Sequence, residues 1–346
     1  MDKPLVSVII PAFNAEGTIR QTLESVSAQT YRAIEVIVVD DGSSDRTTAI
    51  VDEFTANDSR FQLVRQANAG VGAARNTGIG RARGKYIAPL DADDMWMPEK
   101  VEKQVAGMEE FGDKTGLVYC WSTLINEKNQ LIDRSPPCRL AGRLRHAMVL
   151  ANLLGNASVP LFRASALKTV GLYLTRVEQG GVQGCEDWDL ALRIAELFPV
   201  QVVPEYLVAY RQNSTSMSLN VEGMAASFAV FMRRARQRNS DLPAAAFRWS
   251  GGYFYLYIAD KCFAWRDYNR CLRYLKQTVS SNPVLFLKAG IYKTALRSLF
   301  YLTIRPGRKT GLRRIRKKRK LLSFVNIFYW YFEGIRWSAA AEDGAN

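Results

Sequence analysis

Four short, β-branched apolar runs punctuate the start of the chain: LVSVII (Leu5 to Ile10), EVIVVD (Glu35 to Asp40), FQLVR (Phe61 to Arg65) and YIAPL (Tyr86 to Leu90). Runs that are apolar without alternation predict strands covered on both faces. Between them the period changes to that of a helix: Ile19, Leu23 and Val26 share one face, and Ile50 and Phe54 another. Strand–helix alternation of this kind predicts an α/β fold, with a mostly parallel, Rossmann-like sheet flanked by helices. Ser44 or Asp45 is placed to cap the second helix. Pro98 suits the first position of a later one bearing Val101, Val105 and Met108. Ligands of such sheets bind beyond the carboxyl ends of the strands. Asp40/Asp41, Gln66/Asn68 and Asp91/Asp93 stand at three such ends, so all three clusters are expected on one rim.

From about residue 115 the strands thin out to GLVYCWS, VPLF and VQVVP, with a helix announced by GCEDWDLALRIAELF. After Ser216 no strand pattern recurs. YLYIADKCFAWRDYNRCLRYLKQTVSSNP reads as a helix–turn–helix. In it Tyr255, Ala259, Tyr268, Cys271, Leu275 and Pro283 fall at positions similar to those of one tetratricopeptide repeat. A single unit of that kind cannot bury its own apolar face, so it is expected to dock on the rest of the chain or on a partner.

Charge divides the chain in the same place. Residues 1–220 carry 23 Lys/Arg against 26 Asp/Glu, and residues 221–346 carry 24 against 7, so the net charge of +14 belongs to the C-terminal third. Three regions are expected: an α/β domain over 1–220, a helical extension over 221–304, and a basic, aromatic-rich tail over 305–346. The tail holds ten Lys/Arg between Arg305 and Lys320, followed by SFVNIFYWYFEGIRW. Cations beside Trp, Tyr and Phe suit an anionic membrane surface best, a solvated helical tail next and nucleic acid least. Five scattered cysteines without a CxxC pair, and a single histidine, His146, argue against a disulfide framework, a zinc site or a multi-histidine centre. No secretory-signal pattern is evident, and no uncharged apolar stretch reaches the roughly 18–20 residues of a membrane span. A cytoplasmic protein is expected, peripheral on the inner face of the plasma membrane where the tail attaches.

APLDADDMWMP places Asp91, Asp93 and Asp94 within four positions. Such anions repel one another unless a cation sits among them. Either they point apart and cap the next helix, or they hold Mg2+ or Mn2+, whose hard oxygen preference they meet. VVDDGSSD and CEDWD are each open to the same two readings, helix cap or ligand contact. NAGVGAARNTG nearly reproduces a dinucleotide loop, but Arg75 stands where the third glycine must be and the loop follows the third strand, which argues against a nicotinamide site. The convergence of every acidic cluster on one rim favours a ligand.

VSVIIPAFNAEGTIRQTLESVSAQTY, EVIVVDDGSSDRT, NAGVGAARNTGIGRARGKYIAPLDADDMWMPEKV and CEDWDLALRI resemble, in order and spacing, family 2 inverting glycosyltransferases of the GT-A fold, over about residues 4–215. The resemblance implies that Pro11 and Ala12 lie beside a nucleotide base and that Asp41 accepts a hydrogen bond from it. Asp91 and Asp93 match the family's DxD, Asp93 for direct metal contact and Asp91 for the ribose or a metal-bound water. Arg75 would brace the nucleotide side. Asp187 would be the general base, with Glu186 its neighbour and Trp188 a sugar or acceptor platform. Arg211 would reach the diphosphate; where the family often places a histidine after YR, this chain has Gln212 and Asn213.

The implied activity is metal-dependent, inverting transfer from a nucleotide-diphospho-sugar, a UDP-sugar by preference, to a saccharide or lipid-linked acceptor in cell-surface polysaccharide or glycolipid synthesis. The alternative of another class is a catalytically silent nucleotide-sugar-binding or scaffold protein acting through its helical third. The presence of Asp187 beside the DxD favours catalysis, because a binding module has no use for a distant base. One tension accompanies that assignment: a helix N-terminus stabilises the ionised carboxylate and so weakens Asp187 as a base.

Overall fold

A computed structural model describes residues 3–212 and 220–304. The polybasic and aromatic tail and Asn213 lie outside the described residues. The chain divides into two compact units near residue 216, with the short stretch Val149–Ala151 assigned to the second.

The first unit runs β1 (Val6–Ala12), α1 (Ile19–Ser27), β2 (Ile34–Asp40), α2 (Thr47–Asn57), β3 (Phe61–Arg65), α3 (Val71–Arg81), β4 (Tyr86–Pro89), β5 (Met95–Trp96), α4 (Lys100–Glu110), β6 (Leu117–Ile125), β7 (Leu131–Arg134), α5 (Arg145–Leu150), β8 (Leu161–Arg163), α6 (Ala164–Val170), α7 (Glu186–Leu197) and β9 (Val200–Arg211). One sheet takes the order β3-β2-β1-β4-β8-β6-β9-β5, with β7 paired to β6. The β3-β2-β1-β4 half is parallel throughout. The other half is mixed: β8 is antiparallel to β4 and β6, while β6 and β9 run parallel. Every residue of β1 and β2 is buried, as their continuous apolar character requires. Helix α3 lies close on this sheet because position 78 is glycine: a Cβ there would stand 2.6 Å from Cγ2 of Ile9.

Two local expectations shift. Neither candidate caps α2: its N-cap position is Arg46, and Asp45 Oδ1 accepts from the Thr47 amide at 2.9 Å in the turn before the helix, while the Ser44 amide donates to Asn14 Oδ1. Pro98 lies in a turn before α4, which begins at Lys100. The Met97 amide is tied to Leu207 and the Pro98 carbonyl to Thr30, so the chain enters the helix only after that turn. The run VQVVP proves to be the start of a twelve-residue strand, β9, which delivers Arg211 to the acidic loop.

The second unit is helical: α8 (Val221–Arg238), α9 (Ala244–Ala264), α10 (Tyr268–Ser281), a 3-10 turn (Pro283–Leu287) and α11 (Ala289–Ile304). Ala259, Cys271 and Leu275 are buried in the α9–α10 pair, and the Tyr255 ring stacks on Tyr274. Phe228 of α8 stacks on Phe254 of α9 with ring centroids 3.7 Å apart. Among the described residues no helix is long and apolar enough to cross a membrane.

Candidate active site

Parallel pairing brings the carboxyl ends of β1, β2, β3 and β4 to one side of the sheet, and Arg75 joins what gathers there. The side chain is 1% exposed. Its Nη2 donates to Asp91 Oδ1 at 2.6 Å and its Nη1 to Glu186 Oε1 at 2.8 Å, linking the loop after β4 to the first turn of α7. Burial works against the guanidinium charge, yet Asp91 and Glu186 outweigh it and hold the pKa above its ordinary value. The Tyr173 ring covers the guanidinium at 5.1 Å, and the Tyr173 backbone is clamped from both sides by the Asn76 amide. Arg75 Nε and the Tyr173 hydroxyl are buried donors without a hydrogen-bond partner among the described residues. Such groups cost about 1–3 kcal/mol each and concentrate at functional sites.

The three carboxylates of the DADD loop have three different situations. Asp94 is fully buried; its Oδ2 accepts from the Ser158 hydroxyl at 2.5 Å and its Oδ1 from the Arg211 amide at 2.9 Å. Burial, then repulsion from Asp93 and Asp91, pushes the Asp94 carboxyl well above the usual range. Asp91 is partly exposed and paired with Arg75, and its amide donates to Ser158 Oγ at 3.0 Å. Asp93 is partly exposed, and its carbonyl accepts from Arg211 Nε at 2.7 Å. One serine hydroxyl therefore bridges the first and last aspartates of the motif.

Arg211 itself is 2% exposed. Beyond Asp93, its guanidinium donates to the Asn126 carbonyl, Asn129 Oδ1 and Gln21 Oε1. Four of its five N–H donors are thus engaged by the protein, and it holds the acidic loop in place. Trp188 is 2% exposed, and its indole N–H donates to the Met148 carbonyl at 2.6 Å, which packs α7.

Asp41 is buried beside Ala12, whose carbonyl accepts from the Asp41 amide. Its carboxylate takes Gln66 Nε2 at 2.7 Å and the Ala69 and Gly70 amides at 2.8 Å each, which pins the loop between β3 and α3. Three of its lone-pair positions are thus filled by protein. Gly70 has φ +92°, and a Cβ there would stand 2.5 Å from Gln183 Oε1, which accepts from the Val71 amide. Pro11 and Ala12 complete this corner as buried residues at the end of β1.

Helix α7 starts abruptly. Gly184 and Cys185 both have positive φ, 127° and 56°, and a non-glycine residue there stores about 1–3 kcal/mol. The bend turns Glu186 back, so that its Oε2 accepts from the Gly184 amide while Oε1 meets Arg75. Asp187 remains partly exposed and accepts from the Trp188 amide at 2.8 Å. Burial, with the repulsion of Glu186, outweighs Arg75 and that amide and pushes the Asp187 carboxyl up to about 6. Asp91 also acts on it, which places the two carboxylates in one electrostatic neighbourhood. Against the pull of the helix N-terminus, desolvation prevails, and the Asp187 carboxyl holds its proton more tightly than an ordinary aspartate.

Among the described residues no three His, Cys, Asp or Glu side chains form a complete ion cage. Asp91 and Asp93 nevertheless fit a divalent cation of the Mg2+ or Mn2+ kind, which takes one or two carboxylates and completes its shell with substrate oxygens and water. Second to burial, repulsion from Asp93 and Asp91 raises Asp94, and that repulsion is what such an ion would relieve. A shallow concavity lined by Glu35, Arg60, Arg81 and Arg83 lies at the opposite, amino ends of the strands, away from this rim. Sequence reasoning missed Ser158, Tyr173 and Gln183 as parts of the site.

Comparison with known proteins adds to this geometry. The model of glycosyl transferase family 2 matches residues 7–154. An uncharacterized glycosyltransferase of Methanocaldococcus jannaschii is 30% identical over 216 residues, 61% of this chain and 72% of the relative. EpsH of Bacillus subtilis is 42% identical over 120 residues, 35% of this chain and 34% of the relative, so this match spans about a third of that protein's length. Among solved structures, S. aureus TarS 1–349 in complex with UDP-GlcNAc aligns with TM-score 0.57 at 17% identity, over 85% of this chain and 79% of that one. The mannosyltransferase PcManGT of Pyrobaculum calidifontis, in complex with GDP-Man and Mn2+, aligns with TM-score 0.56 at 18% identity, over 88% and 82%. At such identities the likeness establishes the fold, which is GT-A with C-terminal helices.

Proposed function

The chain belongs to glycosyl transferase family 2, and we propose that it is a metal-dependent, inverting enzyme moving a sugar from a nucleotide-diphospho-sugar to an acceptor hydroxyl. The observation that carries this reading is the Arg75 bridge from Asp91 to Glu186, the chain neighbour of Asp187, whose carboxyl is pushed up to about 6 and feels the Asp91 charge.

In this reading Asp187 takes the proton of the acceptor hydroxyl, whose oxygen attacks the anomeric carbon from the face opposite the leaving group. The new C–O bond forms as the bond to the diphosphate oxygen breaks, and the electron pair leaves with the nucleoside diphosphate. One displacement inverts the configuration. Asp93 and Asp91 would hold Mg2+ or Mn2+, which supplies positive charge where the diphosphate leaves. Arg75 keeps Asp91 and Glu186 in register and limits how far Asp187 rises. Asp41 fixes the β3–α3 loop and keeps one lone-pair position for a base N–H. Neighbours bound to UDP-GlcNAc and to GDP-Man with Mn2+ support a nucleotide-sugar donor and a divalent ion. A UDP-sugar donor and a saccharide or lipid-linked acceptor in polysaccharide synthesis are the finer proposals.

The test uses purified full-length protein, a panel of UDP-, GDP- and dTDP-sugars, and Mg2+ or Mn2+, with product configuration read by NMR. Asp187→Asn is expected to lose transfer by at least a hundredfold while binding the nucleotide diphosphate as the parent does. Undiminished turnover in that variant removes Asp187 from the mechanism, and a retained anomeric configuration in the product removes the single displacement.

A further inference from the structure

The helical unit carries an exposed apolar surface on its last helix. Tyr292, Leu296, Leu299 and Phe300 recur at the spacing of one helix face along α11 and are exposed, Leu296 at 67%. The opposite side of the helix is the packed one: Ile291 and Ser298 are buried, and Ser298 Oγ lies 3.5 Å from Cys271 Sγ of α10. The 3-10 turn before α11 extends the same patch. Leu287 is 83% exposed, and Phe286 meets Tyr292 ring to ring at 5.3 Å. Lys293 and Arg297 each follow a stripe residue by one position and edge the patch with positive charge.

The chain around this stripe says what covers it. From residue 268 to residue 304 there is no Asp or Glu and there are six Lys/Arg, of which Arg270 and Arg273 pair with Glu222 or Asp267 and Lys293 and Arg297 flank the stripe; the sequence adds ten more Lys/Arg by residue 320. A second copy would bring an equally basic surface against this one, and like charges set face to face oppose association. An ordinary protein partner would need a strongly acidic rim around an apolar centre. An anionic lipid surface offers both complements at once: acyl chains for the stripe and headgroups for the cationic edge. Contiguous exposed apolar area of this kind marks an interaction site and not a normal solvated face.

We propose that α11 and the 3-10 turn before it form a membrane-seating face, lying in the interface of an anionic bilayer with Leu287, Leu296 and Phe300 inserted and Lys293 and Arg297 at headgroup level. The inference does not depend on the transferase reading, and its test contains no donor or acceptor.

Full-length protein is co-sedimented with vesicles of phosphatidylcholine alone and of phosphatidylcholine with phosphatidylglycerol. The parent is expected to pellet with the anionic vesicles only, and Leu287→Glu/Leu296→Glu/Phe300→Glu to bind at least tenfold more weakly with an unchanged circular dichroism melt. Equal pelleting of this variant would assign lipid binding to the basic tail alone and overturn the proposal. A second measurement reads the stripe directly in Phe300→Trp, by difference from the parent protein's emission. A blue shift of that added emission on anionic vesicles, and none on neutral ones, supports insertion. An emission already blue-shifted in buffer and unmoved by lipid means that the stripe is covered by protein, by the chain's own tail or by a second copy, and the proposal fails.

Discussion

Removing the Arg75 cation should be among the most damaging single changes in the α/β unit, and Arg75→Met isolates the reason. Methionine keeps the straight aliphatic stem beneath the Tyr173 ring but removes the charge that joins Asp91 to Glu186. The two carboxylates will not suffer equally. The Asp91 side chain is 26% exposed and recovers water, whereas that of Glu186 is 6% exposed and keeps only the Gly184 amide. Breaking one partner out of a buried ion pair costs about 3–5 kcal/mol, because the remaining charge is left uncompensated. For a unit the size of this α/β one that corresponds to a fall in calorimetric Tm of roughly 6–20 °C. If the orphaned Glu186 is the source of the loss, Arg75→Met/Glu186→Gln should be more stable than Arg75→Met alone by at least about 1 kcal/mol, even though it carries a second substitution. A Tm drop under about 2 °C in the single variant, or a double variant less stable than it, would refute the account. The first result would mean that the pair is worth no more than a solvated one, and the second that Glu186 is supported by something other than Arg75.

The remaining expectations follow from the same contacts. The Asp187 carboxyl, pushed up to about 6 by burial and by Glu186, must be deprotonated to act as a base. Transfer measured as kcat/KM should therefore rise through an acid limb near pH 6 and level off above it; a profile flat down to pH 5 would exclude this base. Ser158→Ala removes the hydroxyl that donates to Asp94 and accepts from the Asp91 amide, so calorimetric affinity for UDP or GDP with Mn2+ should weaken about tenfold per folded molecule. An unchanged Kd with a lower Tm would make the serine structural only.

The β3-β2-β1-β4 half of the sheet was legible because its signal is local. A run such as EVIVVD must be covered on both faces wherever it lies, and all seven residues of β2 are buried. The placement of Asp41, Asp91 and Asp187 at strand and helix ends was legible for the same reason, since end-of-strand position follows from the runs themselves. What each side chain does there was not, because its partners come from far along the chain. Arg211 looks like a cation at an exposed strand end until Gln21, Asn126, Asn129 and the Asp93 carbonyl converge on it, the first of them 190 positions away. Nothing in the acids beside Trp188 signals that the Met148 carbonyl takes its indole N–H. In the DADD loop the sequence presents three equivalent aspartates, and only the approach of Ser158 and the β9 backbone turns Asp94 inward. Asp187 shows how two correct local arguments can be decided by a third. The helix start and the Arg75 charge both favour the ionised form, but desolvation and the adjacent Glu186 prevail. That balance is set by packing around α7, and it brings the titration of this carboxyl closer to neutral pH than that of an ordinary aspartate.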